Sequence, residues 1–212
     1  MKDTSSETQP AGVALPTQAG ETLDRWSWVE RAVWTDRMLA ALVTGVKGGK
    51  WFSLMDKVFS TRNLQGAWAV VRKHKGAAGV DGQTVHRFEM RAEQELERLE
   101  QELRGGSYVP RPVKRVRIPK PGSRETRPLG IPTVRDRIVQ TALRNVMEPI
   151  FEVRFAPTSY GFRPGRGCKD ALRRVQQLLN AGYTWVVDAD IRKYLDAATH
   201  YTPGSARSAQ SC

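Results

Sequence analysis

The chain has 212 residues, a formal net charge of +12, 40% hydrophobic residues and two cysteines; that is enough apolar content for one domain or a domain and a half with its own core. Two cysteines exclude a disulfide framework, and no run of roughly 20 apolar residues offers a membrane span. A strongly amphipathic basic helix with aromatic anchors is also missing, which sets a membrane surface aside as partner.

The charge is unevenly placed. Residues 111 to 174 hold sixteen Lys or Arg against five Asp or Glu, a net +11, so nearly all of the excess sits in one stretch. Concentrated positive charge attracts phosphate backbones whatever their sequence, which makes nucleic acid the first partner to consider. Cys168 and Cys212 have no histidine or second cysteine at metal-ligand spacing and read as free thiols of a reducing compartment. With no secretory leader pattern at the start, the expected localisation is cytoplasmic.

In chain order, residues 1–22 are rich in Ser, Thr, Gln, Pro and Gly and are expected to be a disordered tail. Residues 23–110 read as a helical region. Trp26, Trp28, Val33, Trp34, Met38, Leu39 and Leu42 predict a helix ending near Gly45, its tryptophans on the apolar stripe and so in a core or a subunit contact. Leu54, Met55, Val58 and Phe59 form a short apolar cluster, and Leu64, Ala67, Trp68 and Val71 recur at helical spacing. The loop Gly76 to Gly82 is either a phosphate cradle or a turn, and matches neither the P-loop nor a dinucleotide fingerprint. Thr84 to Leu103 predicts one amphipathic acidic helix, with Val85, Phe88, Leu96, Leu99 and Leu103 inward, turned away from nucleic acid by its glutamates.

Residues 111–200 hold the most information. Val116 and Ile118 alternate with Arg115 and Arg117, the period of a strand with one face on a core and one face wet. Pro121-Gly122-Ser123 favours a turn, and Thr126 to Ile131 reads as the returning strand. The resulting hairpin brings Lys120 and Arg127 toward each other, with Arg117 and Arg124 nearby. Such a basic tip either faces a polyanion or is a solvated edge that guards against aggregation. Thr133 to Asp136 has the form of a capping box opening a helix on Val134, Ile138, Ala142, Val146 and Ile150, with Arg135, Arg137 and Arg144 free to reach phosphate. Ser159-Tyr-Gly-Phe-Arg-Pro-Gly-Arg166 either allows close backbone approach to a ligand between two rings, with Arg163 and Arg166 for sugar-phosphate, or is a surface turn with buried aromatics. A helix follows over Lys169 to Leu179, with Leu172, Val175, Leu178 and Leu179 inward, and then a strand over Thr184 to Asp190 that runs into acids.

Three stretches in this order and spacing, IPKPGSRETRPLGIPTVRDRIVQ, SYGFRPGRGCKDAL and VVDADIRKYLDAATH, resemble the fingers and first palm motif of group II intron reverse transcriptases (maturases), over about Trp26 to His200. The resemblance implies an α/β (α+β) fold: a fingers subdomain plus the first strand of an incomplete right-hand palm. It implies RNA-directed DNA polymerase activity on an RNA template and DNA primer with dNTPs and Mg²⁺, coupled to intron splicing and mobility, with intron RNA as partner. Residue by residue, it implies that Lys120 and Arg127 hold the triphosphate and that Asp190, with the carbonyl of Ile191, holds the metal. Arg163 and Arg166, with Arg115 and Arg117, would bind template RNA. Leu195 stands where the family usually has the aromatic that excludes a 2′-hydroxyl, and Lys193 replaces a usual glycine, which puts sugar discrimination in question. Asp188 and Asp196 are expected to be structural. Residues 201–212 carry no periodic apolar face, and a second acid pair is missing, so the chain is expected to be an N-terminal fragment, inactive by itself. The alternative is a non-catalytic RNA-binding module supporting a structured intron RNA.

Overall fold

A computed structural model of the chain describes residues 25–45, 53–122 and 124–189. They belong to two compact units, Met1–Ser159 and Tyr160–Cys212. Among the described residues the architecture is mixed but mostly helical, with one two-stranded antiparallel hairpin.

The first unit is built on two helices, α3 (Thr61–His74) and α6 (Val134–Glu152). Val134, Ile138, Ala142 and Val146 recur every fourth residue and are at most 1% exposed. That ridge meets Leu64, Ala67, Trp68 and Val71 of α3 in one buried cluster. Two shorter helices, α1 (Asp36–Thr44) and α2 (Leu54–Val58), also pack on α6. The expected helix from Trp26 is shorter than its apolar pattern: Thr35 caps α1 by accepting from the Met38 N–H, and Trp26 to Trp34 form turns instead. Trp26 and Trp34 are nonetheless buried, as their place on the stripe implied.

Pro149 sits inside α6 and has no N–H for the carbonyl four residues earlier, that of Asn145. The indole Nε1 of Trp34 donates to this carbonyl at 2.9 Å, so a tryptophan far away in sequence supplies the missing helix hydrogen bond. The Asn145 side chain donates to Asn63 Oδ1 at 2.9 Å, and Asn63 Nδ2 reaches the carbonyls of Lys57, Val58 and Ala142 at 3.0 to 3.2 Å. Asn63 is wholly buried.

The predicted single helix over Thr84 to Leu103 is two, α4 (Val85–Glu89) and α5 (Ala92–Arg104). Arg91 leaves helical geometry at φ −132°, which breaks the run between Phe88 and Leu99, both fully buried. The glycine-rich loop before α4 is a turn. Arg137 donates to the carbonyls of Lys75 and Ala77, so the loop holds a guanidinium through its oxygens rather than an anion through its N–H groups. A Cβ on Gly79 would lie 2.7 Å from the Thr133 Cα, so only glycine lets this loop lie against the start of α6.

The hairpin pairs β1 (Lys114–Pro119) with β2 (Thr126–Ile131), Val116 opposite Leu129 and Ile118 opposite Arg127. No face of it is fully buried: Val116, Ile118 and Ile131 are half-buried and Leu129 is 44% exposed. The alternation therefore marks a ribbon standing out from the core, not a sheet lying on it.

In the second unit, α7 (Cys168–Asn180) forms where expected, but Leu172, Val175 and Leu179 are exposed rather than inward. Thr184 to Ala189, read as a strand, lie outside any strand and are exposed, Trp185 at 95%. β-branched residues favour a strand only where a neighbour supplies the ladder, and among the described residues none does. No helix among the described residues is long and apolar enough to cross a membrane.

Replacing Asn63 with Leu keeps the branching of the side chain but removes the hydrogen-bond partner of Asn145 and of buried carbonyls. Urea denaturation followed by circular dichroism should show a loss of about 3 kcal/mol, against about 1 to 3 kcal/mol for Trp34→Phe, which orphans one carbonyl.

Candidate nucleic-acid interface

The hairpin register decides which cations share a face. Residues opposite one another across a ladder project to the same side, and neighbours along a strand to opposite sides. Ile118, Lys120, Arg127 and Leu129 therefore lie on one face, and Arg115 and Arg117 on the other. Arg117 thus stands apart from the Lys120 and Arg127 pair that it was expected to flank. The four-residue loop closes through the Lys120 N–H, which donates to the Glu125 carbonyl at 2.9 Å.

Lys120 Nζ lies 2.6 Å from Glu125 Oε2. This hydrogen bond and charge hold the Glu125 carboxyl below the usual carboxylate value. Both groups are exposed, and such a pair is weak enough in water for a phosphate to take the place of the carboxylate. Arg127 has no ion-pair or hydrogen-bond partner for its guanidinium among the described residues. On the opposite face Arg117 reaches Thr126 Oγ1 at 3.4 Å.

The root of the hairpin is held by Asp136, which is 4% exposed. Its Oδ1 accepts from the Tyr108 hydroxyl, and its Oδ2 accepts from Thr133 Oγ1 at 2.6 Å and from the Arg111 N–H at 3.3 Å. One carboxylate therefore holds the Thr133 hydroxyl that caps α6 and fixes the chain three residues before β1. Thr133-Val-Arg-Asp136 signalled only a helix start, and the Tyr108 lead-in only stiffness; that the two meet is a tertiary fact.

The arginines of α6 divide. Arg135 pairs with Glu102 and is largely buried, and Arg137 binds the loop carbonyls, so neither is open to phosphate as expected. Arg144 stays exposed beside Glu148 at 3.6 Å. Burial raises the Glu102 carboxyl, but its hydrogen bonds and charge contacts with Arg135 and Arg98 outweigh this and hold it below the ordinary value.

In the second unit Arg163 is 8% exposed, Arg166 is half-buried with its guanidinium 5.7 Å from the Tyr160 ring centre, and Phe162 is fully exposed at φ 54°. Asp188 is exposed. Asp190, Ile191, Leu195 and Asp196 lie outside the described residues. Among the described residues no group of three His, Cys, Asp or Glu could hold a metal ion.

Residues 118–203 match the family model described as reverse transcriptase (RNA-dependent DNA polymerase). The chain holds part of a reverse transcriptase domain. It is 44% identical over 143 residues to Protein YkfC of Escherichia coli (strain K12), covering 65% of this chain and 37% of that protein. It is 37% identical over 138 residues to the group II intron-encoded protein LtrA of Lactococcus lactis subsp. cremoris, covering 64% and 22% respectively. Nuclear intron maturase 2, mitochondrial, of Arabidopsis thaliana is 46% identical over 61 residues, 29% of this chain and 8% of that protein. The kinship with group II intron reverse transcriptases and maturases, read from the three motifs, is borne out over these partial regions. The chain spans well under half the length of these relatives. The reverse transcriptase match takes in Lys120, Arg127, Arg163, Arg166, Asp190, Ile191 and Leu195 and begins after Arg115 and Arg117.

Burial, then the hydrogen bond and charge of Asp136, push the Tyr108 phenol far above its ordinary value. Above the ordinary phenol pKa of about 10 the unfolded chain loses a proton that the folded chain keeps. The stability this group contributes is complete below that pH and falls as pH rises toward the folded value. Tyr108→Phe should therefore lower stability near neutral pH and flatten its decline above about pH 10 in urea denaturation series run across pH; an unchanged slope would mean that the phenol titrates like a solvated one.

Proposed function

We propose that the chain serves RNA-directed DNA synthesis of the group II intron type, with intron RNA as template and splicing partner and dNTPs as substrate. What supports this most is the hairpin tip within the reverse transcriptase match: Arg127, unpartnered among the described residues, on the same face as a lysine held only by an exposed carboxylate. Two cations on one side of a projecting ribbon suit a triphosphate, whose oxygens take guanidinium hydrogen bonds in pairs and ammonium as a point charge.

In this reading Lys120 and Arg127 bind and orient the triphosphate, and Arg115 and Arg117 on the other face, with Arg163 and Arg166, track the template backbone. Asp190 and the carbonyl of Ile191 would hold Mg²⁺, a hard cation that takes oxygen ligands. When bound, the ion neutralises charge on the transferring phosphoryl group. Leu195 would lie against the sugar, offering an aliphatic surface where relatives place a ring. Residues 23–110 form the helical support, and 111–200 the fingers and the start of the palm, acting in the cytoplasm.

A non-catalytic RNA-binding role would use the same exposed arginines, and the nucleotide separates the two. Filter binding to an RNA template with an annealed DNA primer, with and without the complementary dNTP, should be run on this chain and on a longer relative with the matching arginine. Arg127→Ala should weaken dNTP-dependent ternary assembly by about 10-fold or more, the worth of a charge-assisted hydrogen bond, with a smaller effect on RNA alone. Equal losses in both titrations would defeat the assignment to the nucleotide.

A further inference from the structure

Away from the hairpin tip, a cleft of about 550 Å³ opens between the α4–α5 break, the chain entering the hairpin and the first turn of α6. Five arginines line it, Arg87, Arg91, Arg98, Arg111 and Arg135, against two carboxylates, Asp81 and Glu95. The acidic composition of α5 pointed this side of the molecule away from nucleic acid. The side chains that line the cleft are nonetheless mostly basic.

Three of the five are paired. Arg135 and Arg98 both pair with Glu102, and Arg111 lies 3.8 Å from Asp81, whose other oxygen accepts from the Gln83 N–H at 3.1 Å. Arg111 is held again through its backbone N–H on Asp136. Arg87 and Arg91 are exposed and have no ion-pair partner among the described residues. Between them in sequence, Met90 is 75% exposed and also lines the cleft. The cleft thus sets three paired guanidinium groups, of which that of Arg135 is largely buried, beside two solvated ones without ion-pair partners among the described residues and an apolar thioether.

We propose that this cleft is a second RNA site, taking the phosphodiester backbone of a folded RNA at Arg87 and Arg91, with a ribose or base edge against Met90. Guanidinium groups recognise phosphate oxygens in pairs, and a strand crossing the rim meets two such forks and a flexible apolar contact. An acidic peptide would also meet the charge. RNA is favoured because the chain carries reverse transcriptase sequence and a second basic element, the hairpin. The choice of partner rests on the RNA reading above. The site itself does not depend on the nucleotide pocket: except for Arg135, its lining precedes the reverse transcriptase match.

The test is fluorescence anisotropy of a short labelled RNA hairpin titrated with the full chain at several salt concentrations. Arg87→Ala with Arg91→Ala should weaken binding by about 10-fold and flatten the salt dependence by one to two phosphate contacts, each about 0.7 to 0.9 in slope. The charge-matched pair Arg37→Ala with Arg62→Ala, both exposed and outside the cleft, should change binding by less than about 3-fold. Arg87→Lys with Arg91→Lys should recover part of the loss, and circular dichroism of every variant should match the parent. Equal losses for the cleft and control pairs, or none for the cleft pair, would overturn the site. So would loss of a labelled polyglutamate peptide with RNA binding intact, which would reassign the cleft to an acidic protein. If the parent chain fails to bind the RNA, this proposal and the RNA reading fall together. If Arg127→Ala leaves ternary assembly unchanged while the cleft pair still weakens RNA binding, only the nucleotide reading falls.

Discussion

The first unit depends on polar groups buried where two helices cross. α6 carries a proline in its last turns, which by itself would leave the Asn145 carbonyl without a donor inside the core. Trp34 supplies that donor, and Asn145 in turn holds Asn63, whose amide reaches carbonyls at the end of α2 and on α6. The apolar ridges of α3 and α6 favour contact, but apolar contact is not directional and would tolerate sliding. The network fixes the register, because each of its carbonyls is costly to bury unpaired.

The fixed end of α6 then sets the hairpin. Asp136 belongs to the first turn of that helix and at the same time binds Tyr108 and the Arg111 N–H, so the ribbon leaves the core from an anchored root while its tip stays in solvent. The arrangement suits a surface that meets a large ligand. Rigidity at the base limits what the ribbon can sample, and the side chains beyond it remain hydrated and available.

Periodicity over a long segment was enough to read the parts whose environment is repetitive. α3 and α6 follow directly from four-residue spacing, and the hairpin from alternation around Pro121-Gly122. Where a local event intervenes, the pattern misleads. The apolar run from Thr84 to Leu103 continues through Arg91 although the backbone does not, and the run from Trp26 is interrupted by a cap at Thr35. Val186 and Val187 show the other failure: strand propensity expresses a fit to neighbours, and residues 184–189 have no paired neighbour among the described residues. Charge was legible along the chain but not in space, since Arg135, Arg137 and Arg111 are engaged by a carboxylate or by carbonyls that are distant in sequence.

The hairpin arginines are spaced by the register. Arg115 lies opposite Gly130, Arg117 opposite Pro128, and Arg127 opposite Ile118, so no guanidinium faces another directly across the ladder. Two like charges at cross-strand distance would repel by somewhat under 1 kcal/mol even in water, and the pairing avoids this without removing a single charge. The prolines add to the effect. Because the Lys120 N–H bonds to the Glu125 carbonyl, alternation along the ladder places Pro119 and Pro128 at positions whose N–H would point outward, where its absence costs no ladder hydrogen bond. A ribbon with proline on its edges and arginine spaced against uncharged partners resists pairing with a second ribbon while keeping its field intact. Guarding an edge and presenting charge to a polyanion were alternative readings of this segment; its geometry is compatible with both, since the arginines that discourage another strand are the same solvated groups that a phosphate backbone can reach.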